Sequence, residues 1–458
     1  MLDRPSQLPL EATGHSRGLF APTIRYHEGT FYCICTNVSY GGNFYVTAKD
    51  PAGPWSEPVY LEGADGIDPS LFFDTDGKCY YIGTHPNPEG CRYNGDYFIW
   101  IQELDLEQGK LVGEVHNVWN GAMKQIVWPE GPHLYKIGEY YYIMNAEGGT
   151  GPEHAETICR SKNLFGPYEN NFCNPIITHR HLGKDYPIKY VGHGDLVQTP
   201  AGEWYMVMLA VRPLESYTTM GRETFMAKVT WENDWPIVNV GVGMLTDTIA
   251  IDLPEWIPEK SCCEDDSIYD FASMTELGPE FLALRRPASD FAMLGENGVE
   301  LKYTKTTLRE EATPSYLAIR QKHHHFNAEC DVCTDSILEG RAGIALVQSN
   351  EYHMRVELTD EGSEALLVAE VILCENGTDR LMGKLSVARK PVITVGIRVE
   401  GLKASAHVDG ITVTDELDVR NLSTEVAGGF VGCTVGLYAV TDRETQASAR
   451  FSRLAYTV

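Results

Sequence analysis

Through the first 240 residues the hydrophobic positions repeat one device: an apolar run, a polar turn built on glycine, and a second run rich in aromatics. It appears as His27-Glu28-Gly29-Thr30-Phe31-Tyr32, Asp74-Thr75-Asp76-Gly77-Lys78-Cys79-Tyr80-Tyr81, Ile137-Gly138-Glu139-Tyr140-Tyr141 and Pro200-Ala201-Gly202-Glu203-Trp204-Tyr205. Glycine accepts the backbone that tight hairpins need, and aromatics suit the pleated surface that follows, so each copy predicts a β-hairpin. The turn glycines lie 48, 61 and 64 residues apart, a spacing of propeller blades with loop insertions rather than of helical solenoids. Two copies add a second turn, Asp50-Pro51-Ala52-Gly53-Pro54-Trp55 and Asn163-Leu164-Phe165-Gly166-Pro167-Tyr168, placed to close the outer strands of a blade. No stretch here sustains a helical period, so the region is predicted all-β. A propeller gathers its functional groups where the inner strands converge on the axis.

After Trp256 the texture changes. A Pro-containing linker and the acidic Glu264-Asp265-Asp266 put a domain boundary near 258, giving domains 1–257 and 258–458. Residues 316–458 alternate apolar and polar positions in short runs, such as Ile344-Ala345-Leu346-Val347, Ala365-Leu366-Leu367-Val368 and Val392-Ile393-Thr394-Val395-Gly396-Ile397, which predicts a β-sandwich.

Composition narrows the partners. The chain has 458 residues, 43% of them apolar, and 37 basic against 64 acidic side chains, a formal charge of -27. That balance repels phosphate backbones and anionic lipid, so neither nucleic acid nor membrane is an expected partner. The opening Met1-Leu2-Asp3-Arg4-Pro5-Ser6-Gln7 lacks the apolar core of a signal peptide, and a cytoplasmic protein is expected. Most of the twelve cysteines, Cys33, Cys35, Cys79 and Cys433 among them, sit in apolar strand patterns without a repeated CxxC and are expected as buried free thiols. Cys262-Cys263 and Cys330-x-x-Cys333 stand apart, but no second ligand pair follows at zinc spacing. His323-His324-His325 reads as a polar strand edge rather than a metal cluster.

The stretch with the densest chemistry runs from Trp128 to His154. Glu130 lies between Pro129 and Gly131-Pro132, where no helix can continue, directly ahead of the hairpin around Tyr140. Spacing alone would allow a hairpin-cap glutamate. A carboxyl at a strand mouth among Pro and aromatic neighbours is, however, poorly hydrated, which raises its pKa toward that of a general acid working near neutral pH.

Six segments together resemble glycoside hydrolase family 43: Arg17-Gly-Leu-Phe-Ala-Pro-Thr-Ile-Arg-Tyr-His27, Gly66-Ile-Asp-Pro-Ser-Leu-Phe-Phe-Asp74, Glu130-Gly-Pro-His-Leu-Tyr135, Ala146-Glu-Gly-Gly-Thr150, Gly192-His-Gly-Asp-Leu-Val-Gln-Thr199 and Gly221-Arg-Glu-Thr-Phe225. Order and spacing also match. The resemblance spans essentially the whole chain and implies a five-bladed propeller followed by a concanavalin-like β-sandwich. It also implies inverting hydrolysis of β-xylosides or α-L-arabinofuranosides of hemicellulose oligosaccharides. By the resemblance, Glu130 matches the general acid and Asp68 the carboxylate that orients it and tunes its pKa. His193 matches the histidine at the axis, Arg222 the arginine that reaches sugar hydroxyls, and Phe20 an aromatic that stacks on the sugar. Phe430, in what reads as a glycine-rich hairpin from Gly428 to Gly436, matches a sandwich loop that closes one side of the sugar pocket; Thr434 stands where members place a second Phe.

One expected part is missing from the pattern. The family's general base belongs to a Pro-Asp-Pro-Ser motif on a strand upstream of the blade with which this sequence opens, and Asp3 does not match it. Four complete blades are therefore expected, the first of the five being incomplete or absent, and two other classes stay open: a catalytically silent sugar-binding protein, and an interaction propeller. The retained pair Asp68 and Glu130 argues against the latter, since desolvated acids are costly without a use. No cofactor is expected; the sequence is compatible with a Ca2+ at the propeller axis and with a homo-oligomer, and calls for neither.

Overall fold

The computed structural model describes residues 2–251 and 266–458. The predicted boundary near 258, with Trp256, Cys262-Cys263 and Glu264-Asp265, lies outside the described residues. The chain is nearly all-β, its one α-helix among the described residues being the four-residue Thr424–Ala427. It forms two compact units.

The first unit holds four antiparallel sheets, each a meander in chain order. The first blade is β1 to β4 (Leu19–His27, Thr30–Asn37, Gly42–Ala48, Val59–Tyr60), and the second is β5 to β8 (Ile67–Phe73, Cys79–Pro86, Tyr97–Asp105, Lys110–Trp119). The third is β9 to β12 (Glu130–Ile137, Tyr140–Glu147, Ala155–Ser161, Glu169–Asn170) with the short β13 (Ile177–Thr178) beside it. The fourth is β14 to β17 (Lys189–Gln198, Trp204–Val211, Glu223–Glu232, Trp235–Val238). All four predicted turn glycines take left-handed φ between the first and second strands of a blade. The second turns at 50–55 and 163–168 join third to fourth strands, as expected.

Why these strands read as almost unbroken apolar runs follows from blade packing. A propeller strand is covered on both faces, so alternate side chains serve opposite neighbours. Leu71 and Tyr81 of the second blade pack with Ile34 and Tyr45 of the first. Their chain neighbours Phe72, Tyr80 and Ile82 pack with Leu134 and Ile143 of the third. Tyr142 and Met144 in turn meet Met206 and Met208 of the fourth. The inner strands β1, β5, β9 and β14 touch in succession.

The second unit is the predicted sandwich. A six-stranded sheet runs in the order Ser315–Arg320, Thr434–Val440, Arg341–Val347, His353–Thr359, Leu366–Glu375, Thr378–Ala388, and an eight-stranded sheet contains His325–Cys333 and Val392–Glu400. Met354, Val356 and Leu358 alternate inward to meet Val332, Val395 and Phe451, while Arg355 and Glu357 point the other way and pair at 2.7 Å. The stretch from Gly428 to Gly436 is not a hairpin: it leaves the short helix and enters the strand Thr434–Val440. Its glycines serve close approach instead, since a Cβ on Gly432 would lie 2.0 Å from the Met220 carbonyl oxygen.

Two segments distant in sequence, Leu10–Ser16 and Pro213–Gly221, belong to this second unit. Thr218 donates through N–H (2.6 Å) and Oγ1 (2.8 Å) to the Glu425 carboxylate, Cys433 N–H donates to Thr219 O at 2.8 Å, and Arg285 Nε donates to Thr13 O at 2.7 Å. Cys33, Cys35, Cys79 and Cys433 are buried free thiols, as expected, and so are Cys330 and Cys333. His325 pairs with Glu400 at the strand edge, 3.1 Å away.

Candidate active site

Each blade lends its inner strand one of the residues singled out from sequence: Phe20 on β1, Asp68 on β5, Glu130 on β9 and His193 on β14. Three of them converge. Ligand atoms of Asp68, Glu130 and His193 all lie within 4.8 Å of one another. Local backbone explains how. Asp68 (φ 54°) and His193 (φ 55°) both sit in the left-handed region, unusual for residues other than glycine, and each falls where the strand pairing slips. The slip turns the side chain out of the strand's regular alternation and toward the axis. Gly131, also left-handed, makes room for the imidazole: a Cβ there would be 2.7 Å from His193 Nε2.

Glu130 opens β9, and its flanking carbonyls are pinned from the neighbouring blade. Ser70 Oγ donates to Pro132 O at 2.7 Å and Thr84 Oγ1 donates to Pro129 O at 2.6 Å, both hydroxyls being fully buried. Proline cannot donate, so the segment carries few bonds of its own and depends on these two. Asp68 adds a third tie by accepting the Gly131 N–H. On the other flank Trp128 N–H donates to Gly95 O at 2.8 Å and Gly148 N–H to Val127 O at 2.9 Å. Gly149 explains the Ala146-to-Thr150 motif, since a Cβ on it would strike the Trp128 ring at 2.7 Å.

The electrostatics divide the two carboxyls. Burial first, and the Asp68 charge second, push Glu130 well above the ordinary carboxyl range, against the pull of Arg222. Asp68 is also raised by burial, but less, because the Gly131 N–H and Arg222 favour its charged form. Arg222 is thus a cation felt by both acids. Burial pushes His193 down to about 4, so the ring is neutral near pH 7. The result is one protonated acid, one carboxylate, one neutral imidazole and one guanidinium around a point.

Phe20 is half-buried on β1, and its carbonyl accepts the Cys35 thiol at 3.1 Å. Phe430 lies in the second unit, 40% exposed, its N–H donating to Ser16 Oγ at 3.0 Å.

Several supports were not singled out from sequence. Glu156, fully buried and pushed well up by burial, accepts Gly194 N–H at 3.0 Å and buttresses the backbone at His193. Asp195 receives Arg25 Nη1 at 2.6 Å and Nη2 at 3.0 Å, with Tyr135 Oη donating at 2.7 Å, which ties β1, β9 and β14 together. Ser70 stood inside a quoted motif, whereas nothing in the pattern marks Thr84.

The Asp68, Glu130 and His193 donors are close enough to hold a cation, but a protonated Glu130 is a donor and Arg222 already supplies the positive charge, so the set suits hydroxyls better. A second grouping, His353, Cys374 and Asp379 in the sandwich, is filled by Arg355: Nη1 reaches His353 Nε2 at 3.0 Å, and Nη1 and Nη2 reach Asp379 at 2.9 and 2.7 Å.

The chain is similar to known proteins along nearly its whole length. Residues 1–236 match glycosyl hydrolases family 43, and residues 268–457 match the beta xylosidase C-terminal concanavalin A-like domain. The chain is 48% identical over 453 residues to a xylosidase/arabinosidase of Butyrivibrio fibrisolvens, covering 97% of this chain and 87% of that one. It is 37% identical to a non-reducing end alpha-L-arabinofuranosidase of Bacteroides ovatus, over 96% of this chain and 81% of that one. The crystal structure of xylan beta-1,4-xylosidase from Bacillus halodurans superimposes with a TM-score of 0.89 at 31% identity, covering 100% of this chain and 90% of that one.

Proposed function

Since the chain belongs to glycosyl hydrolases family 43, we propose that Glu130 is the general acid of its active site and that Asp68, Arg222, His193 and Phe20 prepare that acid and its sugar. The enzyme is an inverting glycosidase of β-xylosides or α-L-arabinofuranosides. The observation that carries the assignment of Glu130 is its raised pKa beside a carboxylate within 4.8 Å.

In this reading Glu130 holds its proton at neutral pH because burial and the Asp68 charge both disfavour its ionised form. As the glycosidic bond stretches, the leaving oxygen takes that proton and departs neutral. Asp68 keeps the acid protonated and, through Gly131 N–H, holds β9 in register. Arg222 and neutral His193 offer hydrogen bonds to ring hydroxyls, and the Phe20 ring covers an apolar sugar face. An inverting reaction also uses a carboxylate roughly 6.5–9.5 Å from the acid to activate water. Asp68, within 4.8 Å, is too close to leave room for that water. In this reading the sugars are chain ends of hemicellulose oligosaccharides, and the enzyme acts in xylan breakdown. The ten free thiols among the described residues support a reducing, cytoplasmic setting.

The test compares leaving groups. Glu130→Ala should lower hydrolysis of xylobiose by on the order of 10²–10⁴-fold while sparing 4-nitrophenyl xyloside, whose phenolate departs without help. Equal losses on both substrates would remove Glu130 from the role.

A further inference from the structure

Within the first unit, on the loop that leads into the acid, a cavity of about 300 Å³ opens among residues that no part of the reaction described so far employs. Its walls come from two loops, one carrying Arg92 and Tyr93, the other Asn120, Met123, Lys124 and Gln125. The second loop runs straight into Trp128-Pro129-Glu130. From Gln125 to Glu130 is five residues, at most about 18 Å of chain.

That loop is fixed to its surroundings. Tyr93 Oη donates to Ile126 O at 2.9 Å, Ala122 N–H donates to Glu147 Oε1 at 2.6 Å, and Asn170 Nδ2 donates to Ala122 O at 3.1 Å. Tyr97, next along the chain from the first loop, lies in the field of Glu130. Cavity and acid are therefore parts of one braced surface. Because Glu130 delivers its proton to the departing oxygen, whatever the leaving sugar carries extends to the acid's side of the bond.

The charge here runs against that of the molecule. In a chain with a net charge of -27, Lys124 stands at the cavity wall and Arg180 reaches its rim, with Nη2 3.8 Å from Met123 Sδ. Neither cation forms an ion pair among the described residues, although Arg180 lies in the field of the buried Glu147. Arg92 is different: its charge is matched by Asp96, at 2.7 Å, and adds little. Lys124 in the wall and Arg180 at the rim, flanked by the amides of Asn120 and Gln125, favour a carboxylate set among hydroxyls.

We propose that this cavity is a subsite on the leaving-group side for an acidic sugar, a uronate borne by the oligosaccharide from which the terminal pentose is removed. The proposal rests on the reading of Glu130 as the acid, which orients the cavity with respect to the scissile bond.

Calorimetry with two probes tests it: xylotriose, and xylotriose carrying one glucuronic acid branch. At low ionic strength the wild-type chain should bind the acidic probe about fivefold more tightly, the scale of one or two exposed charge pairs. The preference should vanish in 0.5 M salt, in keeping with about 4 Å of screening length. It should also vanish in the double variant Lys124→Gln, Arg180→Gln, whose affinity for neutral xylotriose should be unchanged because both side chains are exposed. Equal binding of the two probes by the wild type, or a preference that survives in the double variant, would overturn the subsite and leave the acid's role intact. The xylobiose comparison for Glu130→Ala reports separately on that role.

Discussion

Replacing Asp68 by Asn tests the division of labour between the two carboxyls most directly. The amide keeps the size of the side chain and an oxygen that can accept the Gly131 N–H, but deletes the charge. With the carboxyl oxygens within 4.8 Å, Coulomb's law gives about 3.5 kcal/mol of repulsion at an effective dielectric near 20 and about 0.9 kcal/mol in bulk water. Those limits correspond to about 2.5 and 0.6 pH units. Arg222 is unchanged by the substitution, so the shift lies between these limits and a fall of about 1 to 2 units in the Glu130 pKa is expected. The sign follows from which form is active: protonated Glu130 donates, so activity is lost as pH rises through its pKa, and Asp68→Asn should move that loss to lower pH. The shift is read without turnover in protein labelled with 13C at glutamate carboxyls, the Glu130 resonance being the one absent from Glu130→Gln. In an active preparation the alkaline limb of kcat/KM should move in step. An unchanged or higher midpoint in Asp68→Asn would show that burial alone sets the acid, and that Asp68 has another purpose.

Three further outcomes are expected. Glu130 is raised in the folded state above its unfolded value, so its contribution favours folding at low pH and is lost as pH rises from the ordinary carboxyl range through the raised value. Glu130→Gln should accordingly match the wild type in thermal melts near pH 4 and exceed it above neutrality by about 1–3 kcal/mol; a constant difference across pH would contradict this. Thr84→Val removes the donor to Pro129 O and should cost about 1–3 kcal/mol in denaturant melts, the scale of a buried acceptor left unpaired. It should also lower kcat with little change in KM, with Thr84→Ser restoring both; a loss confined to stability would make Thr84 purely structural. Gly131→Ala, forced against His193 at a left-handed φ, should lose at least about 1 kcal/mol of stability, and unaltered sugar binding by titration calorimetry would show that His193 lies outside the site.

Much of this was readable from residue order because glycines and alternation report local backbone. The turn glycines at 29, 77, 138 and 202 mark the first hairpin of each of the four blades, and the alternation in His353–Thr359 marks a sandwich strand with one face in the core. Glu130 and Asp68 were accessible through the short motifs around them. Thr84 was not, because a threonine in an apolar run looks like strand filler and its acceptor, Pro129 O, is 45 residues away. The left-handed backbone of Asp68 and His193 was equally hidden, since neither residue type announces it. The glycine-rich stretch after 428 misled, because glycine signals both tight turns and close backbone approach, and only the Met220 carbonyl against Gly432 decides between them.

The membership of Leu10–Ser16 in the second unit also orders events in time. This segment leaves the ribosome long before the groups that hold it: Arg285 for Thr13, and Phe430, 414 residues on, for Ser16. Contacts of such separation form slowly and only after their last member is available. The sandwich therefore cannot complete itself as a late, self-contained module, and a nascent chain stalled short of residue 430 carries the segment Leu10–Ser16 still waiting for its seat.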